Sequence, residues 1–187
     1  MDFKAFNKIA RLSREMIVTE KIDGTNGIIA IGENGEFQVG SRNKWLTDER
    51  GNIESDNAGF ARWASANRAE LEKLGVGFHY GEWWGSGIQR GYDLPKGEKR
   101  FSLFNVSRWG DDDTRPACCG VVPLLYQGMF STAIVSAILD DLRSGGSLAA
   151  PGFMRPEGVV VFHTANGVLF KKTIEKDEAP KSTYIEQ

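Results

Sequence analysis

The chain has 187 residues, 41% of them hydrophobic and 26% charged, with a formal net charge of -2 and a pI near 5.8. That is the composition of one ordinary globular domain with enough length to bury a core without staples. It excludes attraction to nucleic acid by overall charge, so such binding would need a local basic patch. The N-terminal segment carries one, with Lys4, Lys8, Arg11 and Arg14, and Lys99-Arg100 is a second; both also read as solvating charge. No apolar run approaches the ~20 residues of a membrane span, and no signal-peptide core opens the chain. The only cysteines, Cys118 and Cys119, are adjacent, which suits neither a structural disulfide nor a spaced zinc site. A cytoplasmic location follows as an expectation.

In chain order, Met16–Ile22 and Gly27–Ile31 read as strands broken at Asp23-Gly24. Asn34-Gly35 predicts a hairpin into Phe37–Val39. Phe60, Trp63, Ala64, Leu71 and Leu74 recur at helical spacing, with Asp56 or Asn57 as cap and Gly75 as stop. Val76–Trp84 and Arg100–Ser107 read as strands, and Gly110–Pro116 as an acidic turn. A second helix is expected over Thr132–Arg143, capped by Ser131, with Ile134, Ile138, Leu139 and Leu142 facing a core and Gly145-Gly146 ending it. Glu157–Thr164 and Gly167–Thr173 form a further hairpin around Asn166-Gly167. Hairpins outnumber crossovers, which predicts an α+β fold with mainly antiparallel sheet.

The chemistry concentrates in five segments. The first is Glu20-Lys21-Ile22-Asp23-Gly24-Thr25-Asn26, where a lysine between two acids meets a Gly-Thr-Asn turn. Alone, it reads equally well as a surface hairpin. The others are Gly40-Ser41-Arg42, Tyr80-Gly81-Glu82, Phe101–Val106, and Pro156–Val160 followed by Phe170-Lys171-Lys172-Thr173. In this order and spacing the set resembles the covalent nucleotidyltransferases, the superfamily of ATP-dependent ligases and mRNA-capping enzymes. Within it the double-strand RNA ligases of bacteriophages and kinetoplastid RNA editing are most similar. The resemblance runs from about Lys8 to Thr173.

The resemblance implies an ATP-grasp-like ligase fold over residues 1–175, followed by a charged tail at 176–187. It also implies an ATP-dependent RNA ligase, with Mg2+ or Mn2+ as cofactor. Lys21 would attack the α-phosphorus of ATP to form lysyl-AMP. AMP would then pass to a 5′-phosphate, and a 3′-hydroxyl would displace it. A free lysine is neutral in only about one molecule in 2,500 at pH 7, so neighbouring cations are needed to discharge it. Glu157 would hold the metal, since hard cations prefer carboxylate oxygen. Glu82 would accept the ribose hydroxyls. Phe104 would stack on adenine, with a place in the core as its rival reading. Glu20 and the backbone of Ile22, Asp23 and Gly24 would read the adenine edge and line the nucleotide site. Arg42 would contact the ribose or a 5′-phosphate, and Asn26 would position the reacting phosphate and strand end.

Two departures from the pattern stand out. The superfamily pairs lysines two apart on one strand face; here Lys171 and Lys172 are adjacent, so only one points into the site. Lys171 is the expected one, with Lys172 turned toward RNA, though the reverse is open. The chain also ends soon after this motif, without the C-terminal domain that relatives use to grip duplex. Weak intrinsic affinity for nicked duplex follows, with a partner protein as a candidate clamp. The expected substrate is a nicked or broken RNA duplex, with an RNA–DNA hybrid or DNA as alternatives, and the expected setting is repair in a bacterial or phage-infected cytoplasm. A DNA ligase, a capping-type guanylyltransferase and a nucleotide-binding module without turnover are the rival readings. Gly85–Gly91 resembles a phosphate loop but lacks dinucleotide or Walker spacing. It reads as a flexible loop with Arg90 as a candidate phosphate contact. His79 and His163 have no metal-ligand spacing.

Overall fold

A computed structural model describes residues 2–177; the tail expected over 176–187 lies, from 178 on, outside them. Among the described residues, nine strands form two sheets. The first has the order β7-β1-β8-β9 and the second β3-β2-β4-β5-β6. Their ranges are β1 Glu15–Lys21, β2 Thr25–Ile31, β3 Phe37–Ser41, β4 Gly77–Gly85, β5 Lys99–Leu103, β6 Gly120–Val121, β7 Leu124–Met129, β8 Gly158–His163 and β9 Val168–Thr173. Every pairing is antiparallel except β5 with β6. The α+β expectation therefore holds. The chain leaves the first sheet at Lys21 and enters the second at Thr25, so the Ile22–Gly24 turn links the two sheets.

Three clusters of buried side chains support this frame. On one face of the second sheet, Phe60, Trp63, Trp83 and Phe101 pack with ring centroids 5.0 to 5.9 Å apart. On one face of the first sheet, Met16, Val18, Val159 and Val161 meet Val135, Leu139 and Leu142 of helix α4, Thr132–Gly145. Ser131 caps that helix, accepting from the Ile134 N–H, as its sequence predicts. The third cluster, Ile22, Trp84, Tyr92, Val122, Ala150 and Phe153, lies beside the turn that joins the sheets.

Several elements differ from the sequence expectation. The single helix over Phe60–Leu74 is divided into α1 (Phe60–Ala66), α2 (Arg68–Leu71) and a 3-10 turn at Glu72–Leu74. Asn67 makes the break, its side-chain amide donating to the Trp63 carbonyl. Gly59 occupies the N-cap, and Asp56 instead accepts from the Ala61 N–H one turn away. The strand expected over Arg100–Ser107 ends at Leu103, because Asn105 caps a short helix, α3, at Val106–Trp109. Strands β6 and β7 had no sequence signal. Consecutive Trp83 and Trp84 are both buried, one in each flanking cluster, because β4 is covered on both faces at that end.

Candidate active site

Strand register decides which side chains share a face. On β1, Met16 and Val18 pack with helix α4 and Glu20 continues their face, so Lys21 points the other way. Lys21 pairs with Gly158 and Thr19 with Val160, and across β8 these pair with Thr173 and Lys171. Paired residues share a face, so Lys171 lies on the Lys21 face and Lys172 on the opposite one. Lys172 ion-pairs with Asp177 at 3.0 Å, whereas Lys171 makes no ion pair or hydrogen bond among the described residues.

Glu157 immediately precedes β8 and brings its carboxylate to Lys21, with Nζ donating to Oε2 at 2.5 Å. The pair is largely buried although 136 residues separate its members. Gly158 makes the entry to β8 with φ 151°, and a Cβ there would sit 2.2 Å from the Lys172 carbonyl oxygen. No other residue fits without moving β9.

The second sheet supplies the opposite side. Asn26 of β2 pairs with Glu82 of β4, and its side-chain amide donates to Glu82 Oε2 at 3.0 Å. The Gly24 N–H donates to the other oxygen at 3.0 Å. Gly24 has no room for a side chain: a Cβ would lie 2.5 Å from the Trp83 carbonyl oxygen and 2.8 Å from the Trp84 Cβ. Burial pushes the Glu82 carboxyl up to about 7, with Glu157 and Asp23 adding to the rise and Lys21 and the Gly24 N–H opposing it. Two accepted hydrogen bonds leave about half of its acceptor capacity for a ligand.

The remaining candidates fall into two groups. Arg42 follows directly on Ser41, which pairs with Gly27, and its exposed guanidinium has no partner among the described residues. Phe104 follows β5, its N–H bonded to the Tyr80 carbonyl, and its ring is exposed while Phe101 and Leu103 are buried. The core reading of Phe104 is thereby overturned, because the strand stops one residue earlier.

Glu20 and Asp23 hold structure together. Glu20 is buried and accepts from Ser147 Oγ at 2.5 Å and from the N–H groups of Leu148 and Ala149 at 2.8 and 3.0 Å. Burial raises its pKa against those three hydrogen bonds. Asp23 accepts from Arg90 Nε at 3.1 Å, and its N–H donates to the Tyr92 hydroxyl at 2.7 Å. Arg90 also donates to the Arg155 carbonyl. Arg90, a candidate phosphate contact, clasps the Ile22–Gly24 turn through Asp23. Ile22 is buried in the third cluster, leaving its backbone to act. Ser147, Tyr92 and Arg90 carry no local motif that would have marked these contacts.

The other discounted groups are structural. His79 and His163 place Nε2 2.8 Å from the carbonyls of Gly75 and Leu12. Cys118 and Cys119 are unbridged, and burial raises both thiols. No cluster of three metal-ligating side chains occurs among the described residues. Glu157, with no such cluster around it, would suit Mg2+, an ion that keeps several waters and binds through one or two carboxylates plus phosphate.

The sequence model of the RNA ligase family matches residues 14–173, which contain every one of these groups. The chain belongs to the RNA ligase family. Curated proteins include no match. Among solved structures, an apo variant of Naegleria gruberi RNA ligase superposes with a TM-score of 0.61 at 23% identity, over 86% of this chain and 50% of that one. A lysine-to-methionine variant with AMP and Mn gives 0.60 at 22%, over 87% and 50%. A variant of the same ligase with ATP and Mn gives 0.59 at 20%, over 85% and 48%. These likenesses show the fold, and the chain spans about half the length of those ligases.

Proposed function

We propose that this chain is the adenylyl-transferring part of an ATP-dependent RNA ligase, of the double-strand type that joins nicked or broken RNA. The observation that carries the reading is the buried Lys21–Glu157 pair of the first sheet, near enough to the Asn26-bonded Glu82 of the second to act on its carboxyl electrostatically. A structural salt bridge would need neither the partnerless Lys171 on the same face nor a half-satisfied carboxylate opposite.

The residues divide the work as follows. Lys21 attacks the α-phosphorus, a P–N bond forms, and the bond to pyrophosphate breaks. In the resting pair its nitrogen is turned to a carboxylate, so the pair opens before attack. Glu157 is the residue that would hold a divalent cation, and such an ion would supply neutralisation of phosphate charge. Lys171 stabilises the charge that develops on the phosphates. Glu82 accepts the ribose hydroxyls, Phe104 stacks on the base, and the backbone of Ile22–Gly24 lines the nucleotide. Asn26 is fixed by Glu82, and with Arg42 it orients the 5′-phosphate that takes AMP from Lys21. Glu20 acts through the Ser147–Ala149 loop as a positioning residue, and Lys172, on the opposite sheet face, takes no part in adenylate formation.

RNA is the expected strand, with a hybrid or DNA as weaker substrates. No helix among the described residues is long and apolar enough to cross a membrane. Two unbridged thiols suit a reducing cytoplasm. Sealing assays with RNA, hybrid and DNA nicks, run with labelled ATP and GTP, test the assignment. ATP-dependent sealing of RNA is the expected result, and labelling by GTP alone would make the chain a capping-type enzyme instead.

A further inference from the structure

Strand β4 is patterned against ordinary core packing. His79 is buried while its neighbours Phe78 and Tyr80 are 60% and 52% exposed. Phe78, Tyr80 and Glu82 alternate along one face, so two exposed aromatics lead away from the proposed ribose carboxylate over about 13 Å. Two more rings complete the row. Phe104, 41% exposed, bonds through its N–H to Tyr80, and Trp45, also 41% exposed, lies over Gly40. Phe78 and Tyr80 are near-parallel, 17° apart with centroids at 6.4 Å, and Trp45 is 6.3 Å from Phe78.

We propose that Tyr80, Phe78 and Trp45 form a stacking platform for the unpaired bases of a frayed or overhanging end of broken RNA, extending outward from the nucleotide pocket. This deepens the ligase reading and rests on it. Charge selects RNA as the occupant over a protein segment. Arg42 and Lys44, on the turn between β3 and Trp45, are exposed and have no ion-pair or hydrogen-bond partner for their side chains among the described residues. Aromatic faces beside free cations are the combination that holds a single strand without reading its sequence. An apolar protein segment would leave those two charges unmatched, whereas a phosphodiester backbone pairs with both. Packing of Phe78 against Tyr80 along β4 alone would not need Trp45, which lies outside the strands.

The platform also gives the site a direction. A strand end lying along β4 would approach with its terminal nucleotide beside Asn26 and Glu82, where AMP transfer takes place. The exposed rings can be removed without opening the core, so Phe78→Ala and Trp45→Ala are suitable variants, with thermal melting as the check on folding.

The test measures affinity for a short 5′-phosphorylated single-stranded oligoribonucleotide by fluorescence anisotropy. Adenylate formation with ATP and Mg2+ is followed separately on the same proteins. Each variant is expected to bind the oligoribonucleotide about tenfold more weakly while forming adenylate at the wild-type rate. Lys44→Ala should lower the slope of log affinity against log salt by about 0.7. Wild-type affinity in both ring variants, or no measurable binding by the parent chain, overturns the platform. So does loss of a self-associated species in place of lost RNA binding, which would make the face an interface between copies. If the parent forms no adenylate yet binds RNA through these rings, the ligase reading fails and the platform stands.

Discussion

Replacing Glu82 by glutamine should make the protein more stable at alkaline pH while impairing it as an enzyme. The native Glu82 carboxyl holds its proton up to about pH 7, whereas the unfolded chain releases it near 4.5. Between those values the native state binds more protons than the unfolded one, so the contribution of this group falls as pH rises through the window. The full shift corresponds to about 3 kcal/mol, most of it lost above pH 5. Glutamine cannot ionise and keeps one acceptor for the Gly24 N–H or the Asn26 amide. The stability of E82Q relative to the parent should therefore grow by about 2 kcal/mol from about pH 5 to about pH 8.5, roughly 4–8 °C in melting temperature. Other titrating groups cancel in this difference, provided they behave alike in both proteins. Thermal melts of both proteins across that range provide the assay. Parallel curves, with a constant gap between them, would refute a raised Glu82. The same variant should need about tenfold more ATP for half-maximal adenylation, since one charged acceptor for the ribose is gone.

Further predictions concern the neighbours of Glu82. Lys171→Ala should slow adenylate formation by about 100-fold, while Lys172→Ala, on the other sheet face, changes it little; comparable losses in pre-steady-state labelling would contradict the register argument. Gly24→Ala should destabilise the fold by about 2–3 kcal/mol in urea titrations, because the added Cβ meets the Trp83 carbonyl oxygen at 2.5 Å. A cost under about 0.5 kcal/mol would show that the turn relaxes freely. Ser147→Ala should cost about 1–3 kcal/mol by depriving buried Glu20 of one of its three donors. An unchanged denaturation midpoint would mean that the loop is not held through Glu20.

The motifs were legible because each is local. Asp23-Gly24-Thr25-Asn26 sets a turn between two strands, and the alternation in Gly167–Thr173 is enough to say that Lys171 and Lys172 point apart. Which of them enters the cleft depended on register with β8 and β1, a non-local fact. The role of Glu20 was illegible for the same reason, since its donors lie 127 to 129 residues away. Leu124–Met129 gave no strand signal because Gly128 interrupts a short, half-exposed edge segment. Phe104 was ambiguous while Arg100–Ser107 read as one strand. The Asn105 cap that ends the strand also frees the ring.

The account stands on Lys21 as the group that becomes adenylated. Intact-protein mass after incubation with ATP and Mg2+, measured beside Lys21→Ala, tests this most directly. The expected result is a gain of one AMP on the parent chain, reversed by pyrophosphate and absent from the variant. A folded, nucleotide-free parent that gains nothing, or a variant that gains AMP as the parent does, would contradict it.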